Sequence, residues 1–525
     1  MRNIIILCTI LIFAIAALAA KYFSVLAGRG DNITKVLNYI PADAALVLQF
    51  NNDQSFYEIF KDYKPFNAII GKHRAAEISR LKDLLNTPTL SENTSDTKVF
   101  LSFHHGKDSL EFLYSMNLGK ELSTENIQEV VSDIPNLTIK ALYNDVYALQ
   151  FSSFKKPLYL LLRQGIAIAS FSEDLVKKCI DPQAAHLSNE AVEEIHKIST
   201  KNFNSPVNLF INHPVVSPFL KHFALGKAQG NSALLANLKG SSALSMNFKS
   251  DAVMFNGISS VDSLELNYLN LFLHQKSAPN TIKKILPENT STFLAFGLSD
   301  VKRFHNDLKA YFKKRNELQK LEEQITSIKT TTGVDLNRDL KPLLDKEFVS
   351  VENSYGEAFA IIKVTNGRDV NFKLQLISRQ VNEFVSQVNH SHIFYYYFGE
   401  PLKKFPRPYF GVADNYLIIA NMPGIITNFL SVYESERFLH QTEDFKRHDQ
   451  LVANQSNIFY FLNVKRSSRL VRTHLKPGYA ELLDKEDSEL KQFNGLSYQW
   501  TSDGGHFFTN FYLSYNPTDS IALNN

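Results

Sequence analysis

Twelve residues set the pattern of this chain. Tyr39-Ile40-Pro41-Ala42-Asp43-Ala44-Ala45-Leu46-Val47-Leu48-Gln49-Phe50 reads as an apolar pair, a proline, a short polar turn and an apolar run ending in Phe. A short apolar run bounded by turn residues predicts a buried strand. Proline fixes φ and has no N–H for a ladder, so it suits the approach to a strand and not its middle. The pattern returns at Ile285-Leu286-Pro287-Glu288-Asn289-Thr290-Ser291-Thr292-Phe293-Leu294-Ala295-Phe296. The prolines lie 287 − 41 = 246 residues apart, so the repeat predicts two copies of a whole domain and not an array of small units.

Later landmarks recur in order. Phe100-Leu101-Ser102 through Gly119 resembles Val349-Ser350-Val351 through Gly367, a hairpin in each half. Gly165-Ile166-Ala167-Ile168-Ala169-Ser170 corresponds to Asn415-Tyr416-Leu417-Ile418-Ile419-Ala420, and Val207 to Asn212 corresponds to Ile458 to Asn463. Last hairpins are expected to turn at Ser250-Asp251 and at Ser502-Asp503. Helical periodicity appears between these strands. Asp53 caps a helix burying Phe56, Ile59 and Phe60; Ala75, Ile78, Leu81 and Leu85 form one stripe; Ile127 to Ile134 is a short helix. Ser263 caps a segment that turns Leu264, Tyr268, Leu271 and Phe272 inward. Val301 to Thr330 predicts one long helix with an apolar face of Phe304, Leu308, Phe312, Leu318, Leu321, Ile325 and Ile328.

The fold class expected is α+β: two tandem similar domains, an internal duplication, each an antiparallel sheet with helices mostly on one face, after an N-terminal transmembrane or signal segment. Residues Ile4 to Ala20 form that segment, an apolar run broken only by Thr9. Ala17-Leu18-Ala19 fits a cleavage site, whereas Tyr22 to Ala27 extends the run toward a spanning anchor, the reading favoured here. The division is then 1–27 signal anchor or cleaved signal peptide, 28–37 polar linker, 38–275 first domain and 276–525 second domain. Arg29-Gly30-Asp31 falls in the linker and reads as a tether.

Composition changes the picture little. With 44% hydrophobic and 21% charged residues, the 525-residue chain is of ordinary globular make-up. A net charge of +3 is too small to imply nucleic acid and no dense basic cluster compensates, so no nucleic-acid partner is expected. Cys8 and Cys179 are the only cysteines, so no intrachain disulfide forms outside the apolar segment.

Thr332-Gly333-Val334-Asp335-Leu336, Asp339-Leu340-Lys341-Pro342-Leu343-Leu344 and Asp345-Lys346-Glu347-Phe348 follow the long helix and precede a hairpin. In this order the second half resembles a family of bacterial membrane-anchored envelope proteins catalogued only as a domain of unknown function. Leu81 to Thr89 of the first half lacks the Gly-x-Asp-Leu segment. The resemblance implies anchoring and an envelope location and assigns no catalytic residue.

The search for chemistry yields no phosphate loop, zinc-protease helix or nucleophile elbow. His390 and His392 would share a strand face, the geometry of a metal pair, but no Cys, Asp or Glu within about five residues completes it. His104 and His105 would point to opposite faces. Glu322-Glu323 and the pair Asp484 and Glu486 read as solvated faces; Asn212 and Asn463 read as helix caps. Tyr395-Tyr396-Tyr397-Phe398 and Phe405-Pro406-Arg407-Pro408-Tyr409-Phe410 read as strands, some of whose rings must leave the core. No catalytic, cofactor or metal residue is assigned, and no cofactor is expected. The function expected is a non-enzymatic scaffold or binding module of the bacterial inner membrane, with its bulk in the periplasm. It would contact the membrane through its N-terminal segment and an envelope protein partner. The alternatives are a carrier of a hydrophobic or lipid-like ligand, a hydrolase with a site not visible in sequence, and, for location, an exported soluble protein.

Overall fold

In the computed structural model the described residues are 33–52, 97–106, 110–118, 137–143, 145–152, 156–202, 205–221, 223–226, 230–236, 238–249, 251–262, 265–484 and 489–515. The N-terminal segment, Arg29-Gly30-Asp31, Cys8, Ser263 and the helices expected from Asp53, across Ala75 to Leu85 and from Ile127 lie outside them. Among the described residues no helix is long and apolar enough to cross a membrane. The chain is α+β and its described strands pair antiparallel. Its contacts divide it into two units, one ending at Ile211 and one beginning at Asn212.

The first unit carries β1 (Ala44–Asn51), β2 (Lys98–His105), β3 (Leu110–Asn117), β4 (Leu137–Tyr143), β5 (Val146–Phe151), β6 (Leu158–Arg163), β7 (Ile166–Ser170) and β8 (Val207–Asn212). They lie side by side as β8-β1-β2-β3-β7-β6-β5-β4. Helices α1 (Glu173–Ile180) and α2 (Asn189–Lys201) are each capped by a serine, Ser172 and Ser188, whose Oγ accepts a backbone N–H of the first turn. They bury Leu175, Val176, Val192 and Ile195 in a core with Val47, Phe100, Leu113, Ile168 and Phe210. Residues 33–37, expected in a polar linker, are helical, and Ile33, Val36 and Leu37 join that core. Three apolar side chains at helical spacing outweigh the polar composition around them.

The second unit begins with α3 (His213–Leu220) and the hairpin β9 (Gly240–Lys249) and β10 (Ala252–Val261). Then come β11 (Thr290–Gly297), α4 (Val301–Lys314), α5 (Leu318–Thr332), β12 (Leu344–Asn353), β13 (Ala358–Val364), α6 (Gly367–Gln375), β14 (Ser378–Gln380) and β15 (Ser386–Val388). The chain continues as α7 (Ile393–Phe398), β16 (Tyr409–Ala413), β17 (Tyr416–Ala420), α8 (Pro423–Glu434), α9 (Glu443–Asp449), β18 (Ile458–Asn463), β19 (Phe493–Asp503) and β20 (His506–Tyr515). The strand order is β9-β10-β20-β19-β18-β11-β12-β13-β17-β16-β15-β14. The β9–β10 hairpin, read from sequence as the end of the first domain, pairs with β20 and lies in the second unit. Every residue of β11 is buried; Leu294 and Phe296 enter one core and Phe293 and Ala295 another, as period-two alternation requires of a strand covered on both sides.

Three local expectations change. The long helix is two helices, because Asn316 takes a left-handed φ of 59° between them. Arg315 locks that break, reaching Glu317 at 2.9 Å and Glu400 at 3.0 Å. The last hairpin turns at Gly504 and Gly505, both with positive φ, and not at Ser502-Asp503; glycine takes that backbone without a Cβ clash. The aromatic run is a helix, α7, bracketed by His392 and Gly399 at φ values of 61° and 73°. The Gly-x-Asp-Leu segment works as a stop and a start. Gly333 ends α5 in the left-handed region, and Asp335 then accepts the N–H groups of Asn337 and Arg338.

Candidate functional site

The side chains singled out in the sequence mostly serve the fold. All six residues of α7 are buried, as are Phe405 and Phe410, so these rings fill the core. A helix that is apolar on every side has nowhere else to go. Glu322 pairs with Lys309 at 2.9 Å and Glu323 accepts from Gln319. Asp484 ends the helix Pro477–Asp484, and Glu486 lies outside the described residues. Neither asparagine caps a helix through its side chain: Asn463 accepts the Arg466 N–H at 2.9 Å in the turn before the helix Ser468–His474, whose N-cap is Ser467, and Asn212 stands at the start of α3 without a side-chain cap bond. His390 and His392 lie in the bend before α7 and not on a strand, and no group of three or more His, Cys, Asp or Glu suited to a metal occurs among the described residues. Cys179 is buried, which pushes its thiol up to about 12.

One relay was not legible in the sequence. His104 Nδ1 lies 2.6 Å from Asp43 Oδ1, and His104 Nε2 lies 2.8 Å from Ser102 Oγ. A carboxylate only accepts, so Nδ1 carries the proton and Nε2 accepts from the serine hydroxyl. Asp43 also receives Lys178 Nζ at 2.8 Å. Burial raises the Asp43 pKa, but the bonds from His104 and Lys178 outweigh it and hold the carboxyl well below the usual carboxylate range. Ser102 and His104 share one face of β2, two residues apart, and this spacing was the available signal. Asp43 joins them only because β1 pairs with β2 through Ala44 and His104. The arrangement is that of an activated serine. Its hydroxyl is nonetheless sealed, with Ser102 at 0% exposure and His104 at 1%.

A second constellation faces solvent. Phe372 on α6 and Leu376 at its C-cap are 61% and 51% exposed, and Val381 and Phe384 in the β14–β15 turn are 42% and 62% exposed. Phe372 and Leu376 are one helical turn apart and share a face. The opposite face of α6 buries Val370 and Leu374 in the core. Gln375 Nε2 donates to Ser386 Oγ at 2.9 Å, fixing α6 to β15 two residues beyond Phe384. Arg368, Arg379 and Arg407 are exposed and Lys373 half-buried around this rim, against the carboxylates of Asp369 and Glu383. Lys373 Nζ lies 5.8 Å from the Phe372 ring, and Arg379 donates to Gln387 at 3.1 Å. The sequence signal was the Phe372-x-x-x-Leu376 spacing on a helix whose other stripe is already apolar.

No family model matches the chain. No curated protein matches it. Among solved structures it is similar to crystal form III of TP0453, with 11% identity over 46% of this chain and 88% of that one, TM-score 0.26. It is likewise similar to crystal form IV of TP0453, with 12% identity over 47% and 87%, TM-score 0.26.

Proposed function

We propose that this chain is a non-enzymatic scaffold or binding module of the bacterial envelope, held at the inner membrane by residues 1–27. The bulk then lies in the periplasm, and the α6 and β14–β15 rim is its working surface. The observation that carries this reading is the exposure of Phe372, Leu376, Val381 and Phe384 together, in a chain that buries its longest aromatic runs. Exposed apolar side chains gathered on neighbouring elements are the pattern of a contact surface, whereas scattered single ones are not.

The same reading takes the two units as copies of one domain. The order β8-β1-β2-β3-β7-β6-β5-β4 has the counterpart β18-β11-β12-β13-β17-β16-β15-β14. Ala42 N–H donates to Ala185 O and Leu187 N–H to Ile40 O, as Glu288 N–H donates to Arg437 O and Leu439 N–H to Leu286 O. β1 and β11 each carry a bulge after their first residue, at Ala44/Leu46 and Thr290/Thr292.

The test is in-cell photo-crosslinking at native expression with a benzophenone side chain at position 384 and a control at Tyr355, which is 68% exposed. A reproducible adduct from position 384 alone is expected; its absence would sink the assignment of the rim. The Asp43–His104–Ser102 relay supports a second reading, a hydrolase. Turnover in an esterase and peptidase panel, abolished by Ser102→Ala, would put that reading first.

A further inference from the structure

The rim fits one kind of partner. α6 buries Val370 and Leu374 in the core, while Phe372, and Leu376 at its C-cap, stand in solvent beside the exposed Arg368, Asp369, Asn371 and Gln375. A helix at a lipid interface combines apolar side chains that enter the interface with a polar, cation-bearing remainder. Val381 and Phe384 stand in solvent in the β14–β15 turn, which Gln375 ties to α6 through Ser386; Arg368 and Lys373 lie on α6, Arg379 on β14 and Arg407 beside Gln387 of β15, with Asp369 and Glu383 as the carboxylates on these elements. β14, the outermost strand here, spans only Ser378–Gln380, too short an edge for strand addition by a peptide. Apolar side chains ringed by cations match an anionic bilayer surface, which takes up Phe and Leu without a complementary shape and attracts Lys and Arg to its headgroups.

We propose that this rim docks on an anionic lipid bilayer, with Phe372, Leu376, Val381 and Phe384 entering the interface and Arg368, Lys373, Arg379 and Arg407 meeting lipid phosphates. The proposal rests on the rim being the working surface.

The test uses the full chain reconstituted in vesicles containing phosphatidylglycerol with brominated acyl chains. Phe384→Trp places a reporter on the rim, and Trp500, at 2% exposure, is the internal control. The introduced tryptophan should lose about half its emission to bromine, as an interfacial side chain would. The loss should disappear in purely zwitterionic vesicles and with Arg379→Glu/Arg407→Glu, and shrink at high salt. Phe372→Trp repeats the measurement on α6. Quenching no greater than that of Trp500 at both positions overturns the bilayer proposal. If the benzophenone at 384 then captures a protein, the working-surface reading survives; if it captures nothing, both fall.

Discussion

Gln49 faces Asn208 across β1 and β8, while Ala295 faces Phe459 across β11 and β18. These pairs occupy the same place by strand order and register, yet one is polar and the other apolar. Gln49 Oε1 accepts from Asn208 Nδ2 at 3.1 Å and also from the Ser199 hydroxyl of α2, and all three side chains are buried. Nearby, Val47 opposes Ser102 in the first unit, while Phe293 opposes Val351 in the second. His104 opposes Ala44 where Asn353 opposes Thr290. One strand order therefore holds two interiors. The first holds Gln49, Asn208, Ser102 and His104 in mutual or neighbouring hydrogen bonds, and the second fills both sides of its central strand with rings.

The comparison is broken most easily at its apolar end. Phe293 is fully buried, with ring centroids of Phe459 and Phe461 at 5.1 and 5.3 Å. Phe293→Ala should destabilise the second unit by about 3–5 kcal/mol. Val47→Ala, at the matching place, removes two carbons and should cost roughly 1.6 kcal/mol before any cavity effect. Urea unfolding, read by Trp500 fluorescence and by circular dichroism, gives both values. Equal losses would mean that the two interiors are not packed differently.

Acid should also separate the units. Burial, and then Lys283, push the His448 pKa down to about 3, and burial takes His213 and His305 to about 4. All three belong to the second unit. Below about pH 6.5 the unfolded chain binds protons that these native imidazoles refuse, so stability falls as pH drops toward 3. The slope from His448 alone amounts to a few kcal/mol in all, at about 1.4 kcal/mol per pH unit. His448→Gln should flatten the slope of the Trp500-monitored transition between pH 6 and about 4. An unchanged slope would remove His448 from the account.

Much of this architecture was legible in the chain. The Pro41 and Pro287 tracts do precede β1 and β11, and Val207 to Asn212 and Ile458 to Asn463 are the strands beside them. Apolar runs bounded by turn residues report burial directly, so these elements could be read locally. The misreadings came where a short run was ambiguous. Tyr395 to Phe398 fits a strand or a buried helix equally by composition, and the left-handed His392 and Gly399 decide it. The β9–β10 hairpin was read correctly as a hairpin, but its partner β20 lies some 250 residues away and leaves no local trace. The Asp43–His104–Ser102 relay was hidden for the same reason, and the rim because exposure of an apolar residue is invisible in sequence.

The polar interior of the first unit can be converted toward the second. Gln49→Ala leaves Asn208 and Ser199 without their shared acceptor and should cost about 1–3 kcal/mol. Gln49→Ala/Asn208→Phe installs the Ala295/Phe459 pair and should recover at least part of that loss. A double-mutant cycle in urea measures the coupling. Additive losses would show that the surroundings, and not the pair, set the polarity.

The smallest effect tests the relay. Asn289 takes the place of Asp43 in the second tract, so Asp43→Asn is the conservative exchange. Asn keeps an oxygen to accept from His104 Nδ1, removes the charge, and puts an NH2 donor where Oδ2 accepts from Lys178. Asp43 has a depressed pKa, so its contribution is complete above the unfolded carboxyl value of about 3.9 and disappears as pH falls below it. Its side chain is 40% exposed, so screening keeps the contribution at neutral pH under about 1 kcal/mol. The urea midpoint of Asp43→Asn should therefore fall slightly short of the parent at pH 7 and approach it as pH is lowered below about 3. A gap that stays constant with pH would assign the loss to hydrogen-bond geometry and not to charge. In that case the relay holds β1 to β2 as a neutral network, like the Gln49–Asn208 pair beside it, and the hydrolase reading loses its orienting carboxylate.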